Sequence, residues 1–258
     1  MPGKKTILVL ILIVSAAAWY FWRDGEKPKP QVAAPFDAPA EPLIRYPIDE
    51  ASLADEPLAP AAKPLPSLDE SDGLMKDILA QLFGGKPEKL FNFQNIIRRA
   101  VATLDNLPRD NLPMQLMPVK PVTGPVVTAG QGSSLTLGAA NAARYDAYVR
   151  LAEAVPTGAL VAAYMQVYPL LQQDYEQLGY PGGYFNDRVV QVIDHLLNTP
   201  EVQAPVLLIQ PKVLYEFADP KLEELSAGQK ILVRIGHENA VKVKAKLREI
   251  RSALVPKG

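Results

Sequence analysis

Thr6 to Trp22 is an uninterrupted apolar run, introduced by Lys4 and Lys5 and closed by Arg23 and Asp24. With about 1.5 Å of rise per residue, the charge-free stretch Ile7–Trp22 spans about 24 Å as a helix, slightly less than the apolar core of a bilayer. Lys5 can snorkel outward, and Trp19, Tyr20 and Trp22 sit where an aromatic belt meets the headgroups, which lengthens the helix at both ends. A membrane-spanning helix over residues 6–22 is therefore expected. A cleaved secretory signal competes with it, with Lys4 and Lys5 as the positive start, Ile7–Val14 as the apolar core and Ser15–Ala18 as the small-residue cut. Against cleavage, the chain stays apolar beyond that cut, with three large aromatics in four residues. The third reading is a buried helix of a soluble domain.

Flanking charge does not set the orientation, because Lys4 and Lys5 ahead of the run face Arg23, Lys27 and Lys29 behind it. A short tail ahead and a large domain behind favour a signal anchor, with residues 1–5 cytoplasmic and the C-terminal domain exported. The sequence has no cysteine. It therefore permits an oxidising compartment and excludes disulfides, thiolate metal sites and cysteine nucleophiles.

Between Lys27 and Pro66 ten prolines alternate with alanine and acidic residues, as in Pro35-Phe-Asp-Ala-Pro39. Proline removes backbone donors and biases its predecessor to extended geometry, so residues 23–66 are expected to form a disordered, semi-stiff linker. An inert spacer is the plain account of it, and a docking strip for a polyproline reader is the sharper one. The remaining residues, 67–258, are numerous enough for one compact domain with a sizeable core. The formal net charge of −1 leaves no nucleic-acid footprint, so no nucleic-acid partner is expected.

Helical periodicity dominates that domain. Met75, Ile78, Leu79, Leu82 and Phe83 form one stripe, capped by Ser71 or Asp72 and stopped by Gly84-Gly85. A second helix is expected from about Pro87 to Asp105, with Arg98 and Arg99 beside its apolar stripe. The proline-rich stretch to about Gly138 is expected to run over the surface. Within it, Val126–Thr128 and Leu135–Leu137 flank Gly130-Gln-Gly-Ser133 as a short hairpin. Gly130-x-Gly132 is not a phosphate cradle, since no strand-to-helix unit or phosphate-binding lysine comes after it.

Asn141 opens a helix to about Ala154, and Thr157 caps the next, in which Leu160, Tyr164, Tyr168, Leu171, Tyr175 and Leu178 recur at helical spacing. These tyrosines read first as core, and second as a stacking site for sugars or prolines. Phe185, Val189, Val192 or Ile193, and Leu196 mark another inward helix face. Val206–Ile209 and Val213–Phe217 read as strands, Asp219-Pro220 and Ser226 as helix caps, and Asn239–Leu254 as a final helix with Val243, Leu247, Ile250 and Leu254 inward. The expected fold class is mainly α, a single helical domain with a minor β-hairpin or small antiparallel sheet.

The stretches Asp105-Asn-Leu-Pro-Arg109, Arg144-Tyr-Asp146, Tyr168-Pro-Leu170, Glu176-Gln-Leu-Gly-Tyr-Pro181, Phe185-Asn-Asp-Arg188, Val192-Ile-Asp-His-Leu-Leu197, Gln210-Pro-Lys212 and Tyr215-Glu-Phe-Ala-Asp-Pro220 appear in series, with Gln229-Lys230 and Asn239 after them. Through them the chain resembles the bacterial domain of unknown function 3014 family, single-pass envelope proteins with a proline-rich tether. The resemblance covers nearly the whole folded domain and implies an architecture and no catalytic residue. The loop Pro181-Gly-Gly-Tyr184 departs from the family's glycine-free pattern, as a turn tolerates.

The search for chemistry yields no catalytic residue, cofactor or metal ligand set. His195 and His237 are the only histidines, and neither has a partner at zinc-ligand spacing. No Gly-x-Ser-x-Gly elbow, Ser-x-x-Lys or phosphate loop is present. Tyr180, Asn186, Asp187, Arg188 and His195 frame a candidate polar binding site, against the plainer reading of a solvated helix face. Lys242, Lys246, Arg248 and Arg251 form a candidate anion-facing patch, against the plainer reading of solvated flanks on a docked helix. The expected function is an interaction or scaffold protein on the periplasmic side of a bacterial inner membrane, held there by Thr6–Trp22, with a protein or envelope-polymer partner. The alternatives are a peptidoglycan hydrolase using Asp and Glu carboxylates, and a chaperone-like binder of extended segments.

Overall fold

The computed structural model describes residues 44–48, 64–85 and 87–255. The expected membrane helix and most of the tether lie outside these residues. Among the described residues are nine α-helices and four two-residue strands, so the domain is mainly α. The helices are α1 (Asp72–Phe83), α2 (Ile96–Asn106), α3 (Ala139–Ala143), α4 (Asp146–Ala154), α5 (Thr157–Gln177), α6 (Phe185–Leu197), α7 (Pro220–Glu223), α8 (Ala227–Arg234) and α9 (His237–Leu254). The strands are β1 (Thr128–Ala129), β2 (Thr136–Leu137), β3 (Leu208–Ile209) and β4 (Glu216–Phe217). No single helix among the described residues is long and apolar enough to cross a membrane.

In α1, Met75, Ile78, Leu79 and Leu82 are buried, and Gly84 ends the helix at φ 63°, a conformation only glycine adopts without strain. Neither expected cap acts on α1. The Ser71 hydroxyl donates to the Leu68 carbonyl at 2.7 Å. The Asp72 carboxylate instead accepts the Asn95 and Ile96 N–H groups at 2.9 and 3.0 Å, so it caps α2 across space. That contact moves the start of α2. Pro87–Lys89 is a lone 3₁₀ turn, Phe91 bridges Val119, and Asn95 enters the helix in the left-handed conformation at φ 53°. A helix beginning at Pro87 would have to pass through that left-handed residue, so α2 begins nine residues later, at Ile96.

The segment from Leu107 to Val122 does not lie on the surface as expected. Leu107, Leu112, Met117, Val119 and Val122 are buried, and the proline-rich strap crosses α2, where the Thr103 hydroxyl donates to the Leu116 carbonyl at 2.9 Å. Prolines at the positions between these apolar residues lower the number of backbone donors that burial would leave unmet. The expected hairpin is present as β1 and β2, with Thr128 opposite Leu137. β3 and β4 form a second antiparallel hairpin. The Leu137 N–H donates to Val206 and the Leu208 N–H to Leu135, each at 2.9 Å, so the two hairpins lie edge to edge. Val206, Leu208, Phe217 and Val233 pack beneath them as a small separate cluster.

The helix expected over Asn141–Ala154 divides into α3 and α4. Its break is anchored by Asn141, which is buried, donates to the Arg234 carbonyl at 3.0 Å and accepts the Val127 N–H at 3.2 Å. The caps of α7 and α8 form as the sequence predicts: Asp219 accepts the Lys221 N–H, and Ser226 and Gln229 make a reciprocal capping box.

α5 and α6 form the middle of the domain, and both pack on α2 and on α9. Val189, Val190, Val192, Ile193 and Leu196 of α6 are fully buried. The tyrosine stripe of α5 is core. Tyr164 and Tyr175 are buried, Tyr168 is half-buried, and only Leu178 of that stripe is exposed. The rings contact one another, Tyr164 edge-on to Tyr168 at 5.3 Å and Tyr168 against Tyr184 at 5.9 Å. Burial raises the Tyr164 and Tyr168 hydroxyls well above their ordinary range, so both stay neutral donors.

Candidate functional site

α6 distributes polar groups to three different neighbours, because its wide apolar face is fixed against the core and its other positions meet whatever packs beside it. The first neighbour is the end of α2. There Asp105, 2% exposed, lies in the last turn, where a carboxylate opposes the helix dipole. Two arginines offset this. Arg188 of α6 donates from Nε to Asp105 Oδ1 at 2.9 Å and from Nη2 to the Asp105 carbonyl at 2.9 Å. Arg109 Nη2 donates to Oδ2 at 2.6 Å, and the Tyr180 hydroxyl donates to the same oxygen at 3.1 Å. Tyr180 stacks on Tyr175 with centroids 4.6 Å apart, and burial pushes the Tyr175 hydroxyl up to about 12. The arrangement is a structural knot that ties α2, the α5–α6 loop and α6.

The second neighbour is the short segment 44–48. Residues 44–48 lie against the first turn of α6 and the end of α9, with the chain bending at Arg45 and Tyr46. Both oxygens of Asp187 accept consecutive main-chain N–H groups, from Arg45 at 2.9 Å and Tyr46 at 2.8 Å. Asn186, fully buried, donates to the Tyr46 carbonyl at 2.9 Å, and the Tyr184 hydroxyl accepts the Ile48 N–H at 2.7 Å. Tyr46 and Ile48 pack partly buried against the core, while Ile44, Arg45 and Pro47 are exposed. Asn186 is itself oriented by the Tyr164 hydroxyl, which donates to its Oδ1 at 3.0 Å.

The third neighbour is α8. His195 Nε2 and the Ser226 hydroxyl share a 2.8 Å hydrogen bond, and Gln229 Nε2 donates to the His195 carbonyl at 3.1 Å. Burial, then the charge of Arg188, lowers the His195 imidazole below its ordinary value. A depressed histidine is neutral when folded and takes up a proton more readily when unfolded. Its contribution to stability is therefore complete above the unfolded value near 6.5 and is lost as pH falls through the lower folded value. His195→Gln is expected to flatten the stability profile in that acid window and leave it unchanged in shape above pH 7; urea titrations at stepped pH read this out.

The five polar residues singled out in the sequence thus fall into three groups. Tyr180 and Arg188 meet through Asp105, Asn186 and Asp187 meet on residues 44–48, and His195 stands apart, facing α8. Asp105 and Tyr184 complete two of these groups and were not singled out. Asp105 carried a signal, an acid at the end of an apolar stripe with Arg109 four residues on; Tyr184 carried none.

The four basic residues of α9 also separate. Lys246 is buried and bonds Thr157 and Glu249, Arg251 pairs bidentately with Asp194, Lys242 faces Glu153 at 3.8 Å, and Arg248 is exposed. Lys244, facing inward, donates to the Thr199 carbonyl.

A cleft of about 570 Å³ opens between the hairpins, α3 and the N-terminus of α9. Asp146, Gln203, Arg234, His237, Glu238 and Asn239 supply its polar wall. Asn239 donates to Asp146 at 3.0 Å and to the Ala142 carbonyl at 3.1 Å. Gly236 enters α9 at φ 87°, and a Cβ there would lie 2.7 Å from Ala142 Cβ, so glycine is required for the close approach of α3.

No curated protein and no solved structure matches the chain. The family described as "Protein of unknown function (DUF3014)" matches residues 96–251, from the first residue of α2 nearly to the end of α9, and takes in the knot at Asp105, the tether-binding turn of α6 and the cleft. The chain belongs to this family.

Proposed function

We propose that the protein is an interaction module on the periplasmic face of a bacterial inner membrane, anchored by residues 6–22 and carried on the tether of residues 23–66. The observation that carries this reading is the capture of residues 44–48: the domain holds a short polypeptide segment through main-chain groups, using Tyr184, Asn186 and Asp187. Main-chain hydrogen bonds supply affinity that depends little on sequence, and the two inward side chains supply selection. This adds recognition of a short peptide segment to the scaffold reading, and it uses two of the residues singled out from sequence.

A second reading has its own support. Asp146 and Glu238 line one cleft, and a pair of carboxylates on a cleft wall is what a carboxylate hydrolase of envelope polymers requires. Proximity labelling in cells, with the full chain as bait, is expected to mark periplasmic proteins, and Asp187→Ala is expected to reduce that labelling. Incubation of the same chain with peptidoglycan separates the readings. Fragment release that Asp146→Asn or Glu238→Gln abolishes would establish the hydrolase and remove the module reading.

A further inference from the structure

Residues 44–48 are matched to their site in register. From Arg45 to Ile48 every main-chain N–H has an acceptor on the domain: Asp187 takes those of Arg45 and Tyr46, and Tyr184 takes that of Ile48. The remaining position is Pro47, which has no N–H, and the site offers no acceptor there. A shift of one residue would bring proline to an acceptor and leave a donor without one. The side chains obey the same register, since Tyr46 and Ile48 pack on the core and Arg45 and Pro47 are exposed. Arg251, held by Asp194, stands beside Tyr46 and closes the site on the α9 side.

We propose that the edge formed by Tyr184, Asn186, Asp187 and Arg251 is a peptide-recognition site for a short aromatic-Pro-aliphatic segment, and that Tyr46-Pro-Ile48 is its intramolecular ligand, a latch that a partner segment of the same chemistry displaces. This rests on the interaction-module reading and adds its regulation. Three features argue for a displaceable latch. The segment is short, its contacts are mostly to main chain, and its two inward side chains are only partly buried. None of these would make release slow or costly.

Latching also changes reach. With the latch closed, the tether ahead of the domain is the 21 residues from Arg23 to Leu43; with it open, the 44 residues from Arg23 to Pro66 separate anchor and domain. In fully extended polyproline form these correspond to contour lengths of about 65 Å and about 135 Å. Occupation of the site by a partner would thus free the site's own ligand and double the distance the domain can cover.

An intramolecular ligand on a short tether is present at an effective concentration on the order of millimolar, so a free peptide binds the latched chain more weakly than the open one, by about tenfold for an intrinsic affinity near 100 μM. The full chain in detergent is titrated against a dye-labelled peptide of residues 43–49, with fluorescence anisotropy as the readout. Opening the latch with Tyr46→Ser and Ile48→Ser is expected to tighten peptide binding about tenfold, and adding Asp187→Ala is expected to abolish it. Because the chain has no native cysteine, Ile44→Cys and Ala245→Cys give unique spin-label sites for a second readout. A single narrow distance is expected, broadened by Asp187→Ala and by millimolar peptide.

A broad distribution in the otherwise native chain, or a narrow one that neither Asp187→Ala nor peptide alters, overturns the latch. So does peptide binding that is equal with the latch intact and opened. These measurements use the purified chain alone, so a failed latch is distinguishable from a failed interaction-module reading, which is judged by labelling in cells.

Discussion

Asp105→Ala is expected to destabilise the domain by about 3–5 kcal/mol, the range for removing one member of a buried charge pair. The cost lies in what remains. Arg188 has a side chain only 20% exposed and loses the carboxylate that receives its Nε and Nη2, so a guanidinium is left in the interior with the Asp105 carbonyl as its remaining partner in the knot. Arg109 is 55% exposed and can turn to water, so Arg109→Ala is expected to cost less than about 1 kcal/mol. Asp105→Asn should fall between them, because it keeps the shape and one acceptor but loses the charge. Urea denaturation of the three variants decides the order. Equal losses for Asp105→Ala and Arg109→Ala would mean that Arg188 is not held by Asp105, and the account of the knot would fail.

Tyr164→Ala is expected to cost about 3–5 kcal/mol, as for truncation of a fully buried aromatic, and Tyr164→Phe about 1–3 kcal/mol. Tyr164 is 1% exposed, sits edge-on to Tyr168, and donates to Asn186. The phenylalanine keeps the packing and removes only that donor, leaving the Asn186 oxygen in an apolar surrounding. The same change reaches the tether, because Asn186 also donates to the Tyr46 carbonyl. Tyr164→Phe should therefore show a stability loss together with easier release of residues 44–48, read by spin-label distances. Destabilisation without any change at the tether would show that Asn186 keeps its orientation unaided.

Much of the scaffold was legible because its signals are local. The stripes of α1, α6 and α9, the glycine stop at Gly84, the caps at Asp219 and Ser226 and the first hairpin depend on residues within a few positions of one another, and each forms as the sequence predicts. The misread boundaries are those set from a distance. Asp72 looked like a cap for its own helix and serves the next one, which moves the start of α2 to Ile96. The strap after α2 looked like a surface run because proline removes helical period, yet five of its apolar residues between Leu107 and Val122 are buried. Composition reports what a segment cannot form; it does not report what the segment lies against.

The candidate sites divide along the same line. Their residue types were visible, since Tyr180, Asn186, Asp187, Arg188 and His195 are the polar residues that the apolar stripe of α6 and its entry loop leave over. Their grouping was not. Arg188 turns to Asp105, 83 positions earlier in the chain, and Asp187 turns to Arg45 and Tyr46, more than 140 positions away. The sequence by itself determined the helical class, the short antiparallel pairs, the family and the polar character of one α6 face, because periodicity, caps and turn residues act over a few bonds. Only the tertiary structure decided that residues 44–48 are bound by the helical domain. That pairing depends on where α6 and α9 come together in space, and no spacing along the chain encodes it.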